Sequence, residues 1–80
     1  MPWAEVPGGA KVVLSSGRVV RVLERIPGVT HLVNLRNEHG DTRALVVDPG
    51  AVVPVIFDEE FAAYASLKTR FGHVEYKGSF

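Results

Sequence analysis

The chain has 80 residues, which is room for one small domain, 1–80, and for no second one. Nine basic residues balance nine acidic ones, and this argues against a protein whose main task is to neutralise phosphate. The absence of cysteine excludes disulfides, thiolate zinc sites and thiol nucleophiles.

The expected location is the cytoplasm, because a small secreted domain usually needs disulfides. The first residues, MPWAEVPGG, have no basic region and no apolar run, so they do not read as a signal peptide. The longest apolar stretches are too short to cross a bilayer, so no membrane partner is expected. Arginine outnumbers lysine six to three, a bias that indicates a GC-rich bacterium or its phage.

Five short apolar stretches separated by turn signals predict five β-strands. Valine occurs fourteen times, and its branched side chain favours a pleated sheet. Pro54 lies inside the fifth stretch and predicts a strand that lies at an edge or crosses a corner, because proline cannot donate to a strand ladder. Alternation predicts that Val33, Leu35, Leu45 and Val47 are buried. The predicted strands are AKVVL at 10–14, RVVRVLERI at 18–26, THLVNLR at 30–36, DTRALVVD at 41–48 and AVVPVIF at 51–57.

The order of these strands, with an SSG turn, a Pro-Gly break, a hairpin around NEHG and a DPG step, resembles a small Src-homology-type barrel. Tudor and KOW modules belong to this group, and the resemblance covers about residues 8–57. It implies a five-stranded barrel that acts as a binding module, by analogy only. Residues 8–56 contain no aromatic side chain, so the aromatic cage of Tudor-type readers is missing. The loops SSG, PGV, NEHG and DPG also lack the basic residues common in KOW modules.

The period changes to that of a helix between residues 58 and 72. Asp58 is the expected N-cap, and Gly72 stands where a glycine commonly ends a helix. The tail at 73–80 alternates again and allows a sixth strand. The sequence therefore predicts a mainly β fold: a five-stranded barrel at 8–57, one C-terminal helix at 58–72 and a tail at 73–80.

Almost all the aromatic residues lie outside the predicted barrel, mainly in the helix and the tail. Such a load either docks these segments on the barrel or forms a partner site. With zero net charge, it favours a non-enzymatic protein-interaction module whose partner is a protein or a second copy of the chain. No cofactor and no small-molecule substrate are expected. The predicted partner-binding residues are Tyr64, Phe71, Tyr76 and Phe80.

The alternative is a barrel that binds nucleic acid through an arginine-bearing sheet face. Four arginines lie in the second, third and fourth predicted strands, where one basic stripe would suit phosphate contact. Acidic residues interleave with them, so an ordinary solvated surface of mixed charge explains them as well. The four residues of this predicted stripe are Arg21, Arg25, Arg36 and Arg43.

Catalytic and metal sites are not indicated. The three histidines, at 31, 39 and 73, share no metal-ligand spacing. The acidic run 58–60 is explained by the favourable electrostatics of a helix start. Ser15 and Ser16 stand in a turn with no activating base marked beside them. An enzyme is therefore not expected.

Overall fold

The computed structural model describes the backbone of residues 1–71 and the side chains of residues 1–66. Within this part the chain forms one 3-10 helix, five strands and one α-helix, so the predicted mainly β class with a C-terminal helix is confirmed. The tail at 73–80 and its predicted sixth strand lie outside the described residues. The elements are the 3-10 helix Trp3–Glu5, β1 Lys11–Val13, β2 Val19–Val22, β3 Leu32–Arg36, β4 Thr42–Val46, β5 Val55–Ile56 and α1 Glu59–Phe71.

The five strands form one antiparallel sheet in the order β4-β3-β2-β1-β5. From β1 to β4, each strand pairs with the next one in the chain, and β5 returns to pair with β1, where Val55 lies opposite Val12. The two edges of the described sheet are therefore β4 and β5, and the prediction of an edge at the fifth strand is confirmed. These strand pairs do not close the sheet, so closure into a barrel stays a prediction.

All five strands are shorter than predicted, the second and the fifth most of all. The stretch 18–26 is extended in the sheet only over Val19–Val22, and its second half belongs to the connection that leads to β3. The fifth strand contains only Val55–Ile56, because Pro54 has no N–H to donate. The carbonyl of Pro54 still accepts a hydrogen bond from the Val13 N–H at 3.1 Å, so the proline adjoins the ladder without continuing it.

One face of the sheet carries the hydrophobic core. Its central side chains are at most 6% exposed and come from alternate positions of β1, β2 and β3, as period-two patterning requires. The expected burial is confirmed for Val33 and Leu35, whereas Leu45 and Val47 are only half-buried against the core. Both belong to the β4 side of the sheet, where a neighbouring strand covers one flank only. The central side chains are Val12, Val20, Val22, Val33 and Leu35.

Two side chains of the segment that precedes the predicted barrel at 8–57 belong to the core. Trp3 and Val6 are 7% and 2% exposed in the core cluster. The Trp3 N–H donates to the Ala51 carbonyl at 3.0 Å, which fixes the segment beside the step that precedes β5. Prolines and glycines in residues 1–9 hide this role, because they remove any periodic pattern.

Helix α1 begins as predicted. The Asp58 carboxylate accepts a hydrogen bond from the Phe61 N–H at 2.9 Å, which is the expected N-cap contact. Phe57 and Phe61 pack with ring centroids 4.9 Å apart. The described residues contain no helix that combines the length and apolar character needed to span a membrane.

Candidate interaction surface

An ion cluster centred on Arg21 holds the start of α1 against the sheet. The Arg21 side chain is 1% exposed and lies on the face of the sheet opposite the core. Its Nη1 and Nη2 groups donate to the two carboxylate oxygens of Asp58, at 2.8 Å each. Nη1 also donates to the Gly9 carbonyl at 3.0 Å, and Nη2 donates to Glu60. The planar guanidinium suits this bidentate geometry.

The charges of this cluster balance, which points to a structural role. The Arg21 guanidinium holds the pKa of Asp58 well below its usual range, and the Phe61 N–H and Lys11 act in the same direction. Desolvation of the carboxylate opposes this shift without reversing it. Lys11 Nζ lies 3.4 Å from Asp58, so two cations face Asp58 and Glu60. The arrangement fixes the start of α1 against the sheet.

The predicted four-arginine stripe does not form, and this part of the sequence prediction is wrong. Arg21 is buried in the ion cluster, and Arg25 donates to the carbonyls of Trp3 and Val6 at 2.9 and 2.7 Å. Register separates the others: Arg36 lies opposite Arg21, whereas Arg43 lies opposite Leu35 and therefore shares the core side of the sheet. Alternation of side chains between the two faces is the physical reason.

The predicted partner residue Tyr64 is buried, 6% exposed, so it is not available as an exposed contact. It packs over Gly9: a Cβ built on that glycine lies 2.9 Å from Tyr64 Cδ1. Tyr64 therefore docks α1 on the start of β1, and its assignment to the partner surface is wrong. The side chain of Phe71, together with Tyr76 and Phe80, lies outside the described residues.

The outer edge of β4 presents an open row of backbone groups. The Asn37 N–H donates to the Asp41 carbonyl, and the Val47 N–H donates to the His31 carbonyl. These two bonds show that the odd-numbered residues of β4 are the ones whose backbone groups bond β3. The groups at 42, 44 and 46 therefore point away from the sheet and have no hydrogen-bond partner within residues 1–71. The side chains at these positions are all exposed, Val46 by 75%.

A cleft of about 630 Å³ lies at one end of β4, between the β1–β2 turn and the β3–β4 hairpin. We name it the hairpin cleft. Its floor is apolar and its rim is polar, with two arginines and one aspartate. The β3–β4 turn on its rim is built around Asn37, whose side-chain oxygen accepts the N–H groups of His39 and Asp41. The lining residues are Leu14, Ser16, Arg18, Val20, Leu35, Asn37, Asp41, Thr42 and Arg43.

Metal ligands are not clustered in the described part of the chain, where no group of three or more His, Asp or Glu side chains is placed to hold an ion. His31 and His39 are exposed, and His73 lies outside the described residues.

Comparisons with known proteins found no matching family model, no similar curated protein and no similar solved structure.

Sequence reasoning missed the features that define this surface. The edge position of β4 depends on which strand β5 pairs with, and no local pattern encodes that choice. Arg18 and Arg43 line one cleft although 25 positions separate them in the chain (43 minus 18). Asn37 and Gly40 gave the one usable signal, because they mark the hairpin that places β4 beside β3.

Proposed function

We propose that the protein is a non-enzymatic interaction module that captures an extended segment of a protein partner along the outer edge of β4. One observation carries the proposal: the outward N–H and C=O groups at Thr42, Ala44 and Val46 have no partner within residues 1–71. An added strand satisfies such groups, and main-chain hydrogen bonds then supply the affinity.

The surroundings of this edge support binding of side chains as well as backbone. Val46 offers an exposed apolar contact, and the hairpin cleft begins beside Thr42 and Arg43. Pockets next to an added strand select its alternate side chains. The volume of the cleft, about 630 Å³, lies within the usual range of binding pockets, about 300–1,000 Å³.

The proposal also includes the barrel architecture, the contacts of the helix and tail, and the cellular setting that the sequence predicts. A Src-homology-type barrel that stays open between β4 and β5 is the proposed architecture; the return of β5 to β1 supports the resemblance, and the opening keeps the outer edge of β4 accessible. Phe71, Tyr76 and Phe80 remain proposed contacts of the helix and tail. The cytoplasm of a GC-rich bacterium, or of one infected by its phage, is the proposed setting.

The test uses the full chain and a display library of random octapeptides. We expect selected peptides to shift the backbone amide NMR signals of Thr42, Ala44 and Val46 and to leave β5 unchanged. Ala44→Pro removes one outward N–H at an edge position that tolerates proline, so it should abolish peptide binding without unfolding the sheet. The control substitution is Ala51→Lys, at an exposed alanine outside β4. Proline is not used at position 51, because the Ala51 N–H donates to the Asp48 carbonyl. Peptides that bind Ala44→Pro equally well, or a library without binders, contradict the proposal.

The nucleic-acid alternative keeps one supporting observation. Arg18 and Arg43 line the same cleft, and neither side chain joins an ion pair within the described part of the chain. Two phosphate contacts on duplex DNA give a slope of about −1.8 for log K against log salt concentration. A mobility-shift series over salt measures this slope, and Arg18→Gln with Arg43→Gln should remove it. Absence of binding at low salt contradicts the alternative.

A further inference from the structure

The outer edge of β4 is complementary to itself. We infer that its occupant is β4 of a second copy, paired antiparallel about a two-fold axis through Ala44. This inference rests on the proposed function, strand capture by this edge, and it names the partner. We call the assembly the β4–β4′ dimer.

The backbone fits this pairing at every outward position. With the axis at Ala44, residue 44 lies opposite its own copy, and Thr42 lies opposite Val46 of the second copy. The outward positions of β4 are 42, 44 and 46, so each outward N–H of one copy meets an outward C=O of the other. The pairing satisfies every outward N–H and C=O group of β4, as the interior strands of the sheet satisfy theirs by pairing on both sides.

The side chains also fit. On the face away from the core, two exposed alanines meet at the axis, and exposed Val46 contacts the methyl group of Thr42 on either side. On the core side, Arg43 lies opposite Leu45 of the second copy, where its aliphatic stem covers apolar surface. No like charges lie opposite each other. An axis moved to Val46 places Ala44 opposite Asp48 and Thr42 opposite Gly50, both beyond the end of β4, so the Ala44 axis uses the whole strand.

The dimer is expected to be weak and dependent on concentration. One strand of five residues buries less surface than the roughly 1,200–2,000 Å² of a standard interface. Most of its affinity comes from backbone hydrogen bonds, so a charge substitution acts mainly where two copies of one residue lie opposite each other, at the Ala44 axis.

The axis provides a sharp test in the full chain. Ala44→Lys sets a lysine opposite its own copy, and Ala44→Asp does the same with aspartate, so each variant should weaken the dimer by up to about fivefold. Mixing the two variants sets lysine opposite aspartate and should restore association. Analytical ultracentrifugation measures mass against concentration for each chain and for the mixture. Ala51→Lys is the matched control: an exposed alanine off β4 that should leave the dimer unchanged.

Each outcome decides the inference. Self-association that the two Ala44 variants lose and their mixture regains supports it. A wild-type chain that stays monomeric, or a dimer that Ala44→Lys leaves intact, overturns it. Loss of the dimer in Tyr76→Ala with Phe80→Ala, and not in Ala44→Lys, assigns association to the tail and also overturns it. A monomer that still binds library peptides through β4 contradicts the dimer but keeps the proposed function. Failure of the dimer inference is therefore distinguishable from failure of the proposed function.

Discussion

Arg21 and Asp58, 37 positions apart in the chain, form a bidentate ion pair that joins β2 to the start of α1. The two partners differ in exposure: the Arg21 side chain is 1% exposed and that of Asp58 is 23% exposed. Removal of the aspartate therefore takes the bidentate partner from a buried cation, which keeps its contacts with Glu60 and the Gly9 carbonyl, whereas removal of the arginine leaves a carboxylate that water can reach.

This asymmetry predicts unequal costs for the two single substitutions. Asp58→Asn keeps an N-cap side chain but removes the bidentate partner of buried Arg21, which retains Glu60, and should lower the free energy of unfolding by about 1.5–3 kcal/mol. Arg21→Met replaces the cation with apolar volume and should cost clearly less. The double variant should be more stable than Asp58→Asn alone. Urea unfolding measures all three, and a double variant less stable than Asp58→Asn would show that Glu60 alone compensates the buried charge of Arg21.

The same pair predicts a stability that depends on pH. The folded-state pKa of Asp58 lies below its unfolded value, about 3.9, so the unfolded chain binds the proton more readily. The contribution of the pair is complete above about pH 4 and is lost as pH falls from there through the folded value. Arg21→Met should flatten this loss in acid urea titrations. Arg18→Met, at an exposed arginine, should keep it.

The sequence predicted what local patterns encode and missed what depends on chain-wide pairing. Alternation identified the five strands and the buried Val33 and Leu35, and capping chemistry identified Asp58. No local pattern distinguishes Arg21 from a surface residue, because its acidic partners, Asp58 and Glu60, lie at the start of α1, far from β2 in the chain. The open edge of β4 likewise depends on β5 pairing with β1. The candidate surface therefore emerges only from the topology.

Trp3 provides a test of the missed N-terminal part of the core. Trp3→Ala should destabilise the fold by about 3–5 kcal/mol, because a buried aromatic side chain leaves a large cavity. Leu35→Ala, in the centre of the predicted core, should cost a comparable amount, about 2–5 kcal/mol. Val52→Ala, at a position 75% exposed, is the control and should change stability by less than about 0.5 kcal/mol. Thermal unfolding followed by circular dichroism ranks the three. A Trp3→Ala variant as stable as Val52→Ala would place residues 1–6 outside the cooperative unit.

Gly9 provides the last prediction, which concerns how α1 docks on the sheet. Gly9 and Gly17 both have positive φ, 91° and 88°, so alanine at either position carries a similar backbone strain of about 1–2 kcal/mol. The two positions differ in the room they leave for a side chain: a Cβ at Gly9 would lie 2.9 Å from Tyr64 Cδ1, whereas nothing lies within 4 Å of a Cβ at Gly17.

Gly9→Ala should therefore cost about 1–3 kcal/mol more than Gly17→Ala, because overpacking against Tyr64 is added to the strain. Tyr64→Ala removes the obstructing ring, so its cost and that of Gly9→Ala should combine to less than their sum in a double-mutant cycle. Urea unfolding of the four variants and the wild type measures both quantities. Equal costs at the two glycines, or strict additivity with Tyr64→Ala, would mean that the ring does not dock on Gly9 in solution.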